Sequence, residues 1–227
     1  VFGKLNIKRT RKFTLVSSDF ATKFLKLAKS DKNIVSFIFL LRQKRFMWRL
    51  KMDSGNIGFV LLCAAFVFVM TPGLAMFYGG LVRKKNVVNT MMTSIFIIGV
   101  GIVMWVLFGY SLSFAPSGNA FIGDFRWLGL EGVSLTEGYT DDASIPNMVF
   151  SAFQMMFAVI TPALITGAVA GRMKFKSIFV FTIFWSLIVY YPLAHMVWGQ
   201  GGLLGADGIG ALDFAGGDVV HISSGVS

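Results

Sequence analysis

Residues 211–227 read ALDFAGGDVVHISSGVS, an apolar stretch of small residues whose ionisable side chains are Asp213, Asp218 and His221. If this stretch is helical, a rise of about 1.5 Å per residue places His221 roughly 12 Å along the axis from Asp213. In a hydrocarbon layer about 30 Å thick, Asp213 then lies near one surface and His221 near the middle. Ionisable groups at that depth usually face a bundle interior or a conduction path. The alternative interpretation is a helix start capped by Asp213 and a buried structural histidine.

The composition of the whole chain indicates an integral membrane protein. Of its 227 residues, 55% are hydrophobic and 15% are aromatic, well outside the usual composition of soluble domains. The single cysteine, Cys63, leaves no partner for a disulfide or for a cysteine-based zinc site within the chain. The sequence contains no catalytic triad, phosphate-binding loop or metal-ligand cluster. We therefore expect neither an enzyme nor a cofactor.

Hydropathy predicts five membrane spans, separated by loops of alternating charge. The predicted spans cover residues 56–78, 90–114, 147–171, 177–198 and 213–227. The last is shorter than the roughly 20 residues that cross a bilayer, so we expect it to be truncated and the chain to be a fragment. Basic residues occupy the short turns at 83–85 and 172–176, whereas the loop at 115–146 is acidic. The positive-inside rule then places both basic turns in the cytoplasm and the start of the first span outside.

The positive charge of the chain belongs to residues 1–51. This leader carries 14 Lys or Arg and two Asp, whereas residues 52–227 carry seven basic and nine acidic residues. Its apolar run at 34–41 is too short to cross a bilayer, and no small-residue cleavage site follows it. Such a leader can bind an anionic surface, but a strongly basic segment conflicts with an external start of the first span. We expect residues 1–51 to be disordered or foreign to the native protein, Met52 to be the natural start, and nucleic acid not to be a partner.

Several motifs, in order, resemble those of the ammonium transporter (Amt/Mep/Rh) family. They are TPGLAMFYGGLVRKKNV at 71–87, AFQMMFAVITPALITGAVAGR at 152–172, HMVWG at 195–199 and DFAGGDVVHI at 213–222. The resemblance covers residues 52–227. It implies an all-α polytopic membrane protein, here the first inverted repeat of an eleven-helix fold, with five transmembrane helices and the fifth truncated. It also implies spans six to eleven beyond residue 227.

The same resemblance implies transport of ammonium or ammonia across the plasma membrane. Members of the family assemble as homotrimers, and bacterial members are blocked by cytoplasmic nitrogen-regulatory PII proteins. Two alternatives stay open. One is an ammonium sensor of the same fold, and the other is a non-functional fragment whose basic leader binds anionic surfaces.

At the mouth of the pathway, the resemblance gives roles to Trp198 and Asp213. Trp198 would receive ammonium through a cation–π contact, which is worth about 0.5 to 2 kcal/mol depending on desolvation. Asp213 would shape this site and steady the cation. The alternative for Trp198 is an anchor at the membrane interface, where tryptophan is common.

Deeper in the pathway, the resemblance gives roles to Phe157 and His221. Phe157 would form the pore gate, with Phe153 one helical turn away as a weaker candidate for the same vestibule. Two phenylalanines at this spacing can equally pack in a core or face lipid. His221 would be the first of a pair of pore histidines. Asp218 departs from the family pattern, which commonly has a neutral residue there, and its role stays open.

Overall fold

Long apolar helices form the framework of the part of the chain that the structure describes. The computed structural model describes residues 52–116, 119–140, 142–205 and 208–227. Four helices in these ranges are long and apolar enough to cross a membrane: α1 Ser54–Leu81, α2 Lys84–Phe114, α3 Asn147–Val169 and α4 Phe175–Trp198. No strand occurs in the described ranges, and the prediction of an all-α polytopic membrane protein is confirmed. The predictions made for residues 1–51 lie outside the described residues.

The fifth predicted span does not begin where the sequence placed it. The predicted helix start at Asp213 is wrong, because helix α5 begins only at Asp218, with a π-helical turn Asp218–Ile222 followed by an α-helical turn Ser223–Val226. Gly216 has a φ of 71°, a left-handed conformation that glycine adopts freely and that an α-helix cannot contain. His221 therefore does not lie along one continuous helix from Asp213.

Small residues allow α3 to approach its neighbours closely. A Cβ atom on Gly101 of α2 would lie 3.2 Å from the Cα atom of Val159, and a Cβ on Gly167 would lie 2.5 Å from Cζ of the Tyr78 ring in α1. The Tyr78 hydroxyl also donates a hydrogen bond of 2.9 Å to the carbonyl oxygen of Leu164. Glycine at such contacts is a common device of helix packing in membranes.

We expect Gly167→Ala to destabilise the full-length protein, because the added methyl group overlaps the Tyr78 ring. Overpacking of this kind costs about 1 to 3 kcal/mol. Thermal unfolding in detergent measures the effect as a lower midpoint. Gly73→Ala is the matched control, since a Cβ at Gly73 meets nothing within 4 Å and alanine favours the helix. Equal midpoints for the two variants would contradict this packing.

Two long connections meet at one end of the bundle, which we call the loop end. Residues 115–146 join α2 to α3, and residues 199–217 join α4 to α5. They are in contact, since the amide of Leu203 donates 2.9 Å to the carbonyl oxygen of Ala120. The start of α1 joins them through Asn56, whose Nδ2 donates 2.9 Å to Oγ of Ser144.

The short basic turns meet at the opposite end, which we call the basic end. A Cβ on Gly171, which follows α3, would lie 2.9 Å from Nδ2 of Asn86, which precedes the regular part of α2. Aromatic rings of α2 and α4 are also in contact at this end. The ring centroids of Phe96 in α2 and Phe175 at the start of α4 lie 4.9 Å apart. The acidic loop and the basic turns, which alternate along the chain, thus lie at opposite ends of the same bundle.

The loop-end halves of α2 and α4 depart from regular helix and enclose a core of aromatic residues. Each helix contains one π-helical turn, at Trp105–Gly109 in α2 and Ser186–Tyr190 in α4. Such turns are rare and often occur beside functional sites. Gly109 lets the Tyr191 ring approach, because a Cβ there would lie 2.7 Å from ring carbons of Tyr191. The largest side chains of this core, all nearly inaccessible, are Trp105, Tyr110, Phe114, Tyr190 and Tyr191.

Candidate functional site

The carboxylate of Asp213 joins the end of α4 to the start of α5. Nε1 of Trp198, the last residue of α4, donates a hydrogen bond of 2.9 Å to Oδ2 of Asp213. Oδ1 of the same carboxylate accepts a hydrogen bond of 3.2 Å from the backbone amide of Asp218, the first residue of α5. A negative group at a helix N-terminus is favourable. Asp213 therefore caps α5 from five residues upstream and fixes the Trp198 indole at the same time.

Three aromatic rings that the sequence singled out lie in contact. The ring centroids of Phe153 and Phe157 are 5.1 Å apart at an interplanar angle of 79°. Phe157 in turn lies 6.4 Å from Trp198 at 69°. Both arrangements are edge-to-face, a favoured geometry of aromatic pairs.

These rings line a cavity of about 760 Å³ at the loop end, which we call the loop-end cavity. Its wall is contributed by the α2–α3 connection, α3, the last residue of α4 and the turn before α5. Its lining includes the aromatic residues Tyr139, Phe153, Phe157 and Trp198 and the polar residues Asp142, Ser144 and Gln154. The predicted vestibule residues thus share one cavity. Asp213 is not among its lining residues, so its effect on the cavity is transmitted through Trp198.

A second cavity, of about 370 Å³, lies deeper and is called the mid-bundle cavity. It is bounded by the middle of α1, the middle of α3 and the start of α5. Among the described residues that line it, His221 is the only ionisable one. The others have apolar side chains or are glycine: Val67, Met70, Gly73, Leu74, Phe77, Phe157, Ile160, Leu164, Ala215, Gly216 and Val220. The imidazole is exposed and makes no hydrogen bond to the residues that the structure describes.

Phe157 lines both cavities. The turn residues Ala215 and Gly216 are the other two members common to both walls. One aromatic ring and a piece of backbone therefore separate the space beside Trp198 from the space beside His221. The sequence-predicted residues fall into two groups, with Phe153 and Trp198 on one side, His221 on the other, and Phe157 between them.

Tyr139, which the sequence did not single out, lines the loop-end cavity and joins its wall to the connection after α4. Its ring stacks on Phe150 at a centroid distance of 4.8 Å and an angle of 6°. Its hydroxyl oxygen accepts a hydrogen bond of 3.0 Å from the backbone amide of Gln200, and Nε2 of Gln200 donates 2.9 Å to the Tyr139 carbonyl oxygen. Burial raises the pKa of the Tyr139 phenol to about 12, although the hydrogen bond from Gln200 lowers it. The phenol is therefore neutral at physiological pH.

His195, three residues before Trp198, has a structural position. Its side chain is fully buried, with Nδ1 3.1 Å from the carbonyl oxygen of Ser113 and Nε2 2.8 Å from the carbonyl oxygen of Asn119. It lies outside both cavity walls and ties α4 to the end of α2 and the following loop. The histidine of the HMVWG motif thus serves packing between α4, the end of α2 and the following loop.

Comparison with known proteins identifies the family of the chain. Residues 58–227 match the family model described as Ammonium Transporter Family. The chain belongs to the ammonium transporter family. The family resemblance predicted from the motifs is confirmed, and with it the fold class.

Curated relatives include the ammonium transporter of Bacillus subtilis (strain 168), which is 52% identical to this chain over 176 residues. The match covers 78% of this chain and 42% of that protein. The ammonium transporter of Aquifex aeolicus (strain VF5) is 45% identical over 179 residues, 78% of this chain and 41% of that protein. The chain thus spans about two fifths of the length of these relatives. They are named as transporters rather than enzymes.

Solved structures of the family are similar over the same region. Candida albicans Mep2 has a TM-score of 0.69 at 32% identity and covers 78% of this chain, which in turn covers 38% of Mep2. Saccharomyces cerevisiae Mep2 has a TM-score of 0.68 at 35% identity, and the match covers 79% of this chain and 39% of that protein. A structure entitled Sensor Amt Protein has a TM-score of 0.62 at 27% identity, and the match covers 73% of this chain and 40% of that protein.

Proposed function

We propose that the full-length protein carries ammonium or ammonia across a membrane, and that residues 52–227 supply the first half of its path. The observation that supports this most is the position of Phe157 in the walls of both cavities. A gate has to be reachable from the mouth and from the interior, and Phe157 meets that requirement. Membership in the ammonium transporter family supports the choice of substrate.

In the proposed first step, the loop-end cavity attracts ammonium. The Trp198 and Phe157 rings, 6.4 Å apart, give a cation an aromatic surface on two sides. The hydrogen bond from Trp198 to Asp213 holds the indole in place, and the carboxylate adds negative charge nearby. Contacts of this strength concentrate a cation without trapping it.

In the proposed second step, Phe157 prevents a hydrated ion from passing. Beyond it, the wall of the mid-bundle cavity is almost wholly apolar, and a bare cation there loses its hydration without compensation. Ammonium can release its proton to water at the loop end and continue as neutral ammonia when the ring moves, whereas potassium has no proton to lose. This difference is the proposed origin of selectivity.

In the proposed third step, His221 receives the neutral amine. A neutral imidazole has one donor and one acceptor nitrogen and carries no fixed charge. It can therefore hydrogen-bond ammonia in an apolar cavity without attracting other cations. The free imidazole of His221 in the mid-bundle cavity suits this role.

We further propose that the protein lies in the plasma membrane with the loop end outside. The support is the gathering of Arg83, Lys84, Lys85, Arg172 and Lys174 near the basic end, as the positive-inside rule requires of a cytoplasmic face. Assembly as a homotrimer and regulation by a cytoplasmic PII protein follow from the family resemblance. The many exposed apolar residues of α1, such as Phe59 and Phe66, leave ample surface for lipid, a partner subunit or later spans.

Uptake of labelled methylammonium tests the proposed function. Cells that lack their own ammonium transporter and express the full-length protein should show saturable uptake that ammonium inhibits. Cells that express a Phe157→Trp variant serve as the matched comparison, because a larger ring at the junction should slow uptake without changing surface expression. Uptake at the level of untransformed cells would contradict transport.

The second candidate is an ammonium sensor with the same fold. The similarity to the structure entitled Sensor Amt Protein supports keeping it. Purified protein in liposomes distinguishes the two functions. A sensor should bind methylammonium without net flux, whereas a transporter should dissipate a methylammonium gradient.

A further inference from the structure

Gln154 of α3 carries a buried hydrogen-bonding group that the described part of the chain does not satisfy. The residue lines the loop-end cavity, and its Oε1 atom is buried without a hydrogen-bond partner among the described residues. Buried polar atoms nearly always have a partner, because an unpaired acceptor costs free energy. Oε1 is enclosed by this chain as the amide stands, while the Gln154 side chain as a whole lines the loop-end cavity.

The position of Gln154 places its amide beside the aromatic rings of the cavity. Residues three apart on a helix share a face, so Gln154 lies one turn before Phe157 and on its side. Phe157 in turn contacts Phe153 and Trp198, at 5.1 Å and 6.4 Å. Aromatic faces attract any small cation but offer no directed hydrogen-bond acceptor. An amide carbonyl among them would add that direction.

Two neighbouring polar side chains of the cavity wall are already engaged. The Tyr139 hydroxyl accepts the hydrogen bond of Gln200, and Oγ of Ser144 accepts that of Asn56. The terminal torsion of glutamine, in contrast, is broad and roughly two-fold. Half a turn about it exchanges the oxygen and the nitrogen, which brings Oε1 to the cavity when a donor enters.

We propose that Gln154 contacts the substrate, with Oε1 accepting a hydrogen bond from an N–H of ammonium or a primary alkylammonium held against the three rings. This inference rests on the proposed function. It adds a residue that recognises the substrate by a hydrogen bond from its N–H group, whereas the aromatic rings recognise its charge. Gln154 then contributes to binding at the mouth and not to the later passage past Phe157. Its loss should raise the concentration for half-maximal uptake and leave the maximal rate nearly unchanged.

The test measures methylammonium uptake by the full-length protein as a function of concentration. Gln154→Met keeps the length of the side chain and removes the acceptor, so its half-saturating concentration should rise about tenfold, as expected for one hydrogen bond to a charged group. Its maximal rate should stay within about twofold of wild type, because the lost contact contributes to binding and not to the later passage past Phe157. Gln154→Glu keeps an acceptor and should saturate at or below the wild-type concentration. Met156→Leu, on the same helix but outside the cavity wall, should match wild type.

Calorimetric binding of methylammonium to the purified variants keeps the inference testable if no flux is found. The order of affinities should be the same, with Gln154→Met weaker than wild type and Gln154→Glu restored. Failure of wild-type flux with this order intact would overturn the proposed transport and leave the inference standing. An unchanged half-saturation in Gln154→Met, or an equal rise in the Met and Glu variants, would overturn the inference and leave the proposed transport standing.

Discussion

Replacing His221 with glutamate in the full-length protein is expected to let potassium pass. In the part of the chain that the structure describes, no ionisable side chain other than His221 lines the mid-bundle cavity. A carboxylate there would present a fixed negative charge to any cation that reached it, and such lining charges set the selectivity of channels. Opposite charges about 4 Å apart attract by about 4 kcal/mol at an effective dielectric constant of about 20, so the potassium current should rise on the order of tenfold or more over wild type. The potassium current, recorded on reconstituted protein, measures the change, and methylammonium uptake by the same protein shows whether transport is kept.

His221→Gln is the matched control for this experiment. It keeps a donor and an acceptor but adds no charge. Potassium should stay excluded, and ammonium transport should be reduced rather than lost. If a folded His221→Glu protein still excluded potassium, His221 would lie off the path and its role would be structural.

Asp213→Ala is expected to reduce methylammonium uptake by about 10-fold to 100-fold. The substitution removes two hydrogen bonds to one carboxylate, of 2.9 Å from Trp198 and 3.2 Å from the amide of Asp218. Hydrogen bonds to charged groups contribute about 1.5 to 3 kcal/mol each, and the indole nitrogen is left without its partner. Trp198 and the start of α5 should both lose their fixed positions, so the two cavities change together. Concentration-dependent uptake by the full-length protein provides the measurement.

Asp218→Asn serves as the comparison, because it removes a nearby negative charge while leaving the backbone amide of residue 218 bonded to Asp213. We expect less than a threefold change, in keeping with the modest strength of a partly exposed charge. Equal losses in the two variants would mean that negative charge near the mouth matters and that the hydrogen bonds of Asp213 do not.

The sequence predicted the helical framework well, because hydrophobic length alone decides which segments can cross a bilayer. It failed at the start of α5. Apolar small residues read the same in a helix and in a turn, and the positive φ of Gly216 has no signature in hydropathy. Asp213 was expected either to cap a helix or to shape the site, and in the structure one carboxylate bonds both the amide of Asp218 and the indole of Trp198.

The candidate site was predicted in part. Phe153, Phe157 and Trp198 came from motifs, and the structure brings them into one cavity. The contribution of Tyr139 could not be predicted, because it depends on contacts with Gln200, 61 residues away along the chain. Gln154 did leave a signal in the sequence, since it is an amide within the otherwise apolar run 152–160 and lies between Phe153 and Phe157.

The central claim, that substrate crosses from one cavity to the other at Phe157, can be measured with a cysteine. In a full-length protein carrying Cys63→Ser and Phe157→Cys, a bulky thiol reagent added from the loop end should stop methylammonium uptake. Ammonium in the cavity should slow the modification. The Cys63→Ser protein, treated in the same way, should keep its uptake. Complete modification of Phe157→Cys, verified by mass spectrometry, with undiminished uptake would contradict the claim.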